Sequence, residues 1–280
     1  MPAAHPALAH DWLGACRAAA EGLRTVLADH PTSAERLVET GELGGGGDRT
    51  LVIDQLAEDR VFEQLERLHG RGARFTAISE ERGRIDFGDD QVLVVVDPID
   101  GSLNAKRGLT HHALSIAVAD GPTMGDVAFG YVLDLGPGEE WVARRGHGAM
   151  RDGIALAAPP ERRTSDGKLE IVAVESADPR WLAHRVEELA DVAHRLRAIG
   201  AMAISVCQVA AARVDGMVSL WRTRAVDVAA AQLVVRESGG HVAFVGAPGP
   251  LEAPLDLEPH FPIVATRTPE ALAELAGIFS

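Results

Sequence analysis

The run Val92-Leu93-Val94-Val95-Val96 leads directly into Asp97-Pro98-Ile99-Asp100-Gly101-Ser102. A segment this apolar and this rich in β-branched residues is a buried strand, and other elements must cover it. The strand delivers Asp97 at its C-terminal end. Pro98 has no N–H and a fixed φ, so the chain is expected to turn sharply there. Asp100 then comes back near Asp97, and the carbonyl of Ile99 can point the same way. Two carboxylates and a carbonyl are hard oxygen ligands, a set that suits Mg2+. If a helix or tight turn starts at Gly101-Ser102, their amides form an anion-binding N-terminus. An Asp-Gly turn with an Asp cap accounts for the same residues without a metal.

Around this strand the pattern is mixed α/β. Helical spacing runs from Pro6 to Ala28 and stops before Pro31. Gly44 to Gly47 form a loop, and Asp48-Arg49-Thr50 leads into a second helix that ends at His69-Gly70. Ala73–Ile78 and Gln91–Val96 are expected strands. Leu114–Ala119, Asp126–Leu133 and Glu140–Ala143 form an antiparallel meander with turns at Gly121-Pro122 and Gly136-Pro137-Gly138. The polar, proline-bearing stretch Pro159–Lys168 is the expected joint between an N-terminal lobe, 1–158, and a C-terminal lobe, 159–280. Beyond it come strand Leu169–Val174, helix Pro179–Ala193, strand Leu196–Ile199, helix Ala201–Arg213, strand Gly216–Leu220 and helix Asp227–Ser238. Strands near Val242 and Ile263 and a helix from Pro269 complete the chain.

Composition narrows the function. The 280 residues carry 41 acidic against 27 basic side chains, a net charge of -14. Neither a nucleic-acid backbone nor an anionic membrane surface is an expected partner for such a chain. Trp12, Trp141, Trp181 and Trp221 show no stacking pattern with basic residues, so no nucleic-acid platform is expected. No basic-then-apolar leader is visible and no apolar run approaches a membrane span, and a cytoplasmic protein is the expectation. Cys16 and Cys207 are expected to be buried, reduced thiols. His111-His112 are expected at the surface, since neighbours on a strand face opposite ways and cannot share one metal.

Two more acidic sites raise the weight of the metal reading. Ser79-Glu80-Glu81 follows a strand, and Asp227 opens a helix of small residues, where an N-cap is the plain alternative. Phosphatases that use an aspartyl nucleophile, of the haloacid-dehalogenase kind, place their second Asp two positions after the first. Here it comes three later, after a proline, which disfavours that mechanism.

Taken together, these segments resemble the inositol monophosphatase family of Mg2+-dependent phosphatases. Ser79-Glu80-Glu81 resembles its Gly-Glu-Glu. Asp97-Pro98-Ile99-Asp100-Gly101-Ser102-Leu103-Asn104 resembles its Asp-Pro-Ile/Leu-Asp-Gly-Thr-x-Asn. Asp227-Val228-Ala229-Ala230 and Glu237-Ser238-Gly239-Gly240 resemble its Trp-Asp-x-Ala-Ala-Gly and Glu-Ala-Gly-Gly. Asp48 and Asp54 resemble the acidic pair of its early helix, and Arg197-Ala198-Ile199-Gly200 the turn before its substrate-facing helix.

The resemblance implies a layered αβαβα sandwich, usually dimeric, with the site between two lobes. It implies two or three Mg2+ ions, replaceable by Mn2+ and inhibited by Li+ or Ca2+. The ligands would be Glu80, Asp97, the Ile99 carbonyl, Asp100 and Asp227. Phosphate would lie on the amides of Gly101 and Ser102. Ser102 and Glu80 would orient the attacking water, with Asp54 behind Ser102 and no phosphoenzyme. Asn104, Arg197, Gly200 and Ala201 would be near the substrate, a small phosphorylated polyol or sugar.

Some positions depart from the family pattern. Ser102 stands for Thr but keeps the hydroxyl. Val226 replaces the Trp before Asp227, and Val218–Asp227 looks more like the branch acting on both inositol monophosphate and fructose 1,6-bisphosphate. Ser219 falls near the position where inositol-specific members carry an acid. Met202 would narrow the pocket, and Lys106-Arg107 put cations near its entrance. Fructose 1,6-bisphosphatase action, nucleotide 3′-phosphatase action and a non-catalytic binding role are the alternatives.

Overall fold

The computed structural model describes residues 6–43 and 49–279. Asp48 and the Gly44–Gly47 loop lie outside the described residues. The elements in chain order are α1 (Trp12–Asp29), α2 (Ser33–Arg36), β1 (Glu39–Leu43), β2 (Arg49–Leu51), α3 (Val52–Gly70), β3 (Thr76–Ser79), β4 (Gly83–Asp86) and β5 (Leu93–Asp100). They continue as α4 (Ser102–Arg107), β6 (Ala113–Ala119), β7 (Val127–Asp134), β8 (Glu140–Arg144), β9 (Gly148–Arg151) and β10 (Ile154–Ala155). The rest are β11 (Leu169–Glu175), α5 (Pro179–Ala183), α6 (Val186–Val192), β12 (Ala193–Arg197), α7 (Met202–Ala210), β13 (Gly216–Ser219), α8 (Ala225–Glu237), β14 (His241–Phe244), β15 (Ile263–Thr266) and α9 (Pro269–Gly277).

One sheet has eight strands in the order β10-β9-β8-β7-β6-β5-β3-β4, and another has five in the order β12-β11-β13-β15-β14. In the first, only β3 and β5 run parallel; in the second, β11 runs parallel to both β12 and β13. Three apolar clusters fix the layers. Trp12, Cys16, Leu23, Phe62 and Leu65 from α1 and α3 pack on one face of the larger sheet. Ile204, Cys207, Ala230 and Leu233 from α7 and α8 fill the space between the two sheets. Leu189, Ala271 and Leu275 cover the outer face of the smaller sheet. The result is the αβαβα sandwich that the sequence resemblance implies.

Composition explains the close spacing. Aromatics are only 4% of the chain, and the middle layer is built mainly of Ala and Val. At Gly130 a Cβ would lie 2.7 Å from the Ala230 carbonyl, so β7 and α8 meet almost backbone to backbone. Gly22 makes room between α1 and α3 for the stem of Arg60: a Cβ there would stand 3.0 Å from the Cβ of Arg60.

Several boundaries differ from the sequence-based expectation. The second helix begins at Val52, because Arg49–Leu51 pairs with β1 instead. The stretch Pro179–Ala193 splits into α5 and α6, and Ala193 belongs to β12. His111 and His112 precede β6, not on it; His112 is buried and His111 adopts φ 68° with Nδ1 2.8 Å from Asp134 Oδ2. Trp181 and Trp221 stack with centroids 4.2 Å apart, and the Arg222 guanidinium lies 5.7 Å from the Trp221 ring centroid. The pair is formed by elements 40 positions apart, so no local spacing announces it. Cys16 and Cys207 are free and buried as expected. No helix among the described residues is long and apolar enough to cross a membrane.

The polar joint after β10 is tied down by Arg267. Its guanidinium donates to the Pro159 carbonyl at 2.7 Å, and to Asp215 Oδ1 at 2.8 Å. Asp215 in turn accepts from the amides of Arg162 and Ile171. Both charged groups are almost fully buried. Removing one partner strands the other charge in the interior, a loss of about 3–5 kcal/mol. Arg267→Met is therefore expected to lower stability by that amount in denaturant unfolding. A loss under about 1 kcal/mol would show that the pair does not hold the joint.

Candidate active site

The site starts from a break in a strand ladder. All eight residues of β5 are buried. Its register against β6 pairs Asp97 with Ser115 and Asp100 with Ala113. β5 thus takes three steps where β6 takes two, which is a bulge at Pro98-Ile99. Pro98 cannot donate to the ladder, so the irregularity falls where the sequence removes a donor. The expected sharp turn at Pro98 is not found: the strand continues to Asp100, and the turn comes at Gly101, whose φ is +79°. Gly101 is required there twice over. A Cβ would stand 2.8 Å from the Cβ of Ala201 and 2.9 Å from the Gly200 carbonyl.

Asp100 links this strand to the second half of the chain. Its Oδ1 accepts from the Met202 amide at 3.0 Å and its Oδ2 from the Ala203 amide at 2.8 Å. Ala201, the N-cap of α7, has no side chain to supply those bonds. Asp100 therefore caps a helix more than a hundred residues away, and the positive end of that helix favours its charge. Glu175, at the end of β11, holds the preceding turn by accepting from the amides of Ile199 and Gly200 and from the Ser205 hydroxyl. Asn104 ties the same turn from the other side through the Ile199 and His111 carbonyls at 2.8 and 2.9 Å.

A cleft of about 350 Å3 is lined by Asp54, Glu80, Glu81, Asp97, Pro98, Ile99, Ser102 and Lys106. Of the residues expected at the site, the structure gathers Asp54, Glu80, Asp97, Ile99 and Ser102 along this cleft. Asp100 and Gly101 lie at the junction with α7, where Gly101 meets Gly200 and Ala201. Arg197 lies apart: it is exposed on β12, and its guanidinium bonds the Leu196 carbonyl. Met202 packs against the layer between the sheets. Lys106 stands 3.5 Å from Asp54, while Arg107 is exposed.

Asp227 does not open its helix. Arg224 is the N-cap of α8, and Asp227, three residues on, accepts from the Arg224 amide at 3.2 Å. The Arg224 guanidinium also reaches into the site. It donates to Glu80 Oε1 at 2.7 Å and to Asp227 Oδ1 at 3.0 Å. Sequence reasoning passed over Arg224, along with Glu58, which accepts from the Ser79 hydroxyl and stands beside Arg82. Neither contact has a local signal, since each partner lies on a different element.

Electrostatics define what the cleft can hold. Burial raises the Asp97 carboxyl well above its usual range, and the nearby charges of Glu80, Asp100 and Asp227 push it the same way. Asp100 is raised by burial and by Asp227, against the pull of the Ala203 and Met202 amides. Glu80 is raised by burial, with Arg224 opposing and Asp227 and Asp54 adding to the rise. Burial alone would lower Arg224, but Asp227 and Glu80 outweigh it and raise it. Four mutually repelling carboxylates and the Ile99 carbonyl are all oxygen donors, and their chemistry fits a hard divalent cation such as Mg2+. Among the described residues, no three Asp, Glu, His or Cys side chains stand together as a closed ligand cage. Glu80 and Asp227 instead close on the guanidinium of Arg224.

Comparison with known proteins agrees with this fold. The sequence matches the inositol monophosphatase family over residues 10–279. A fructose-1,6-bisphosphatase/inositol-1-monophosphatase from Methanothermobacter thermautotrophicus is 32% identical over 212 residues, covering 72% of this chain and 73% of that protein. The Nus factor SuhB of Escherichia coli K12 is 31% identical over 202 residues, 71% of this chain and 73% of its own. A crystallised inositol monophosphatase–fructose 1,6-bisphosphatase superposes with a TM-score of 0.80 at 21% identity, over 96% of this chain and 100% of that one.

The raised carboxyls carry a sign for stability. The folded state holds its proton on Asp97 to higher pH than the unfolded chain, whose aspartate titrates near 3.8. In that window the folded state binds more protons, so stability falls as pH rises. Asp97→Asn removes the cost of the buried charge. With chelator present, its melting temperature is expected to match the parent near pH 4 and to exceed it increasingly toward neutral pH. Equal melting curves at every pH would show that Asp97 bears no such strain.

Proposed function

The chain belongs to the inositol monophosphatase family and is a phosphatase, and from that premise we propose that it hydrolyses a phosphate monoester of a small polyol or sugar in a Mg2+-dependent reaction. The observation that supports the proposal is the β5 bulge, with Asp97 and Ile99 lining one cleft together with Glu80 and Ser102. In this reading Glu80, Asp97, the Ile99 carbonyl, Asp100 and Asp227 hold the metal. When bound, Mg2+ supplies positive charge for the phosphoryl group and lowers the pKa of water.

The remaining work falls to the chain itself. The amides of Gly101 and Ser102, at the start of α4, would receive the phosphoryl oxygens. The Ser102 hydroxyl and Glu80 would orient the attacking water, and Asp54, next to Lys106, would position Ser102. Burial raises the Asp54 carboxyl, with the charge of Lys106 opposing the rise. In-line attack by water then breaks the phosphorus–oxygen ester bond. The alcohol leaves with a proton and inorganic phosphate is the second product, with no phosphoenzyme.

Relatives named for both fructose 1,6-bisphosphate and inositol 1-phosphate support testing both substrates. Lys106, on the wall of the cleft, is a suitable contact for a second phosphate. The surrounding stretch from Glu80 to Asp100 carries seven acids against two arginines. Phosphate attraction in such a region is conditional on bound cation. The reading extends to a cytoplasmic homodimer whose lobes divide at 158/159.

The test is phosphate release from inositol 1-phosphate and from fructose 1,6-bisphosphate, with and without Mg2+. Release is expected with Mg2+ only, and Asp97→Asn is expected to lower kcat/KM by a factor on the order of a hundred or more. No release from a broad panel of small phosphate esters, by folded protein shown to bind Mg2+, would overturn the proposal.

A further inference from the structure

Arg224 is a charged group at the site that neither the metal reading nor the phosphate reading uses. Its position is held by three features. It is the N-cap of α8, so its backbone is fixed by the helix start. Its Nη2 and Nε face the two oxygens of Asp227 at 3.0 and 3.4 Å. Its Nη1 donates to Glu80 Oε1 at 2.7 Å across a separation of 144 residues. The guanidinium is three-quarters removed from solvent, so neither contact is a loose surface pair. A planar fork with fixed donors is suited to clamping two carboxylates at once.

We propose that Arg224 is an internal counter-cation that competes with divalent metal for Glu80 and Asp227. The inference rests on the reading of those two residues as metal ligands. The physical argument is one of charge. A guanidinium about 3 Å from both carboxylates relieves their repulsion, and a dication drawing on the same oxygens would face it at close range. Metal loading therefore requires Arg224 to release at least one partner. Glu80 is the one it can give up, because Asp227 is bound both by the guanidinium and by the Arg224 amide of the helix cap. The exchange makes metal affinity adjustable at a residue that is not itself a ligand. It also ties metal entry to the segment Leu220–Arg224, whose Trp221 stacks on Trp181.

The experiment is calorimetric titration of the full chain with MgCl2, comparing the parent with Arg224→Met and Arg224→Lys. Met keeps the apolar stem and removes the charge; Lys keeps the charge and removes the fork. Arg224→Met is expected to bind Mg2+ more tightly, by a factor on the order of ten or more, with Arg224→Lys between it and the parent. With chelator present, Arg224→Met is expected to melt lower than the parent, and to gain more than the parent on adding Mg2+. Should Arg224→Met fail to fold, the Lys variant alone decides: its affinity must exceed the parent's. Equal or weaker Mg2+ binding by the folded variants would overturn the competition and make Arg224 a group that arranges the ligands. Absence of Mg2+ binding by the parent and variants alike would overturn the metal reading itself.

Discussion

The structure depends on a carboxylate that caps a helix it is not part of. Asp100 ends β5, and its two oxygens take the first free amides of α7. A helix start has unsatisfied N–H groups and a partial positive charge, and the N-cap of α7 is Ala201, whose methyl group can accept nothing. The bulge at Pro98-Ile99 is what aims Asp100 there. From this contact follow the short distance between Gly101 and Ala201, the need for glycine at 101, and the seating of the middle helical layer against both sheets. The cleft is formed by the same turn, so its shape is a by-product of how the two sheets are joined.

The electrostatic design is tense around that junction. Burial and mutual repulsion work against Asp97, Asp100 and Glu80 together. A stable core would ordinarily avoid such a cluster, and a folded chain that keeps it must supply positive charge. Three kinds of charge are on hand: the N-terminus of α7 for Asp100, Lys106 for Asp54 and Arg224 for Glu80 and Asp227. Among the described residues, no cation hydrogen-bonds Asp97, whose Oδ1 accepts the Ile99 amide at 3.0 Å. The least compensated carboxylate thus sits at the cleft.

Much of this was legible in the sequence because it is local. Val92–Val96 could only be an interior strand, and Asp97 to Ser102 is a single short segment whose ligand types and proline can be read in order. Alternating strand and helix patterns indicated a mixed α/β chain, and the layered fold was implied by the family resemblance of segments matched in one order. What stayed hidden depends on contacts between distant positions. Arg224 looked like one more arginine before a helix, and only folding brings it to Glu80. Asp227 looked like the cap because Asp is a common capping residue, whereas α8 starts three residues earlier, after Arg224, which donates to Asp227. The bulge was misread as a turn, since a proline can break a ladder without bending the chain away. The Trp181–Trp221 stack and the burial of His112 share that origin.

The joints between residues about 100 and 200 have a consequence for biosynthesis. Glu80, Asp97 and Asp100 emerge from the ribosome long before Met202, Ala203 and Arg224 exist to receive them. Until then the first half carries an uncapped cluster of negative charge on a sheet whose inner face has no cover, since α7 and α8 arrive later. Non-local pairing of this kind is slow and leaves apolar surface open in the interval. The same acids that would hold metal in the finished protein should therefore keep the nascent first half soluble by repulsion, until the second half closes over it.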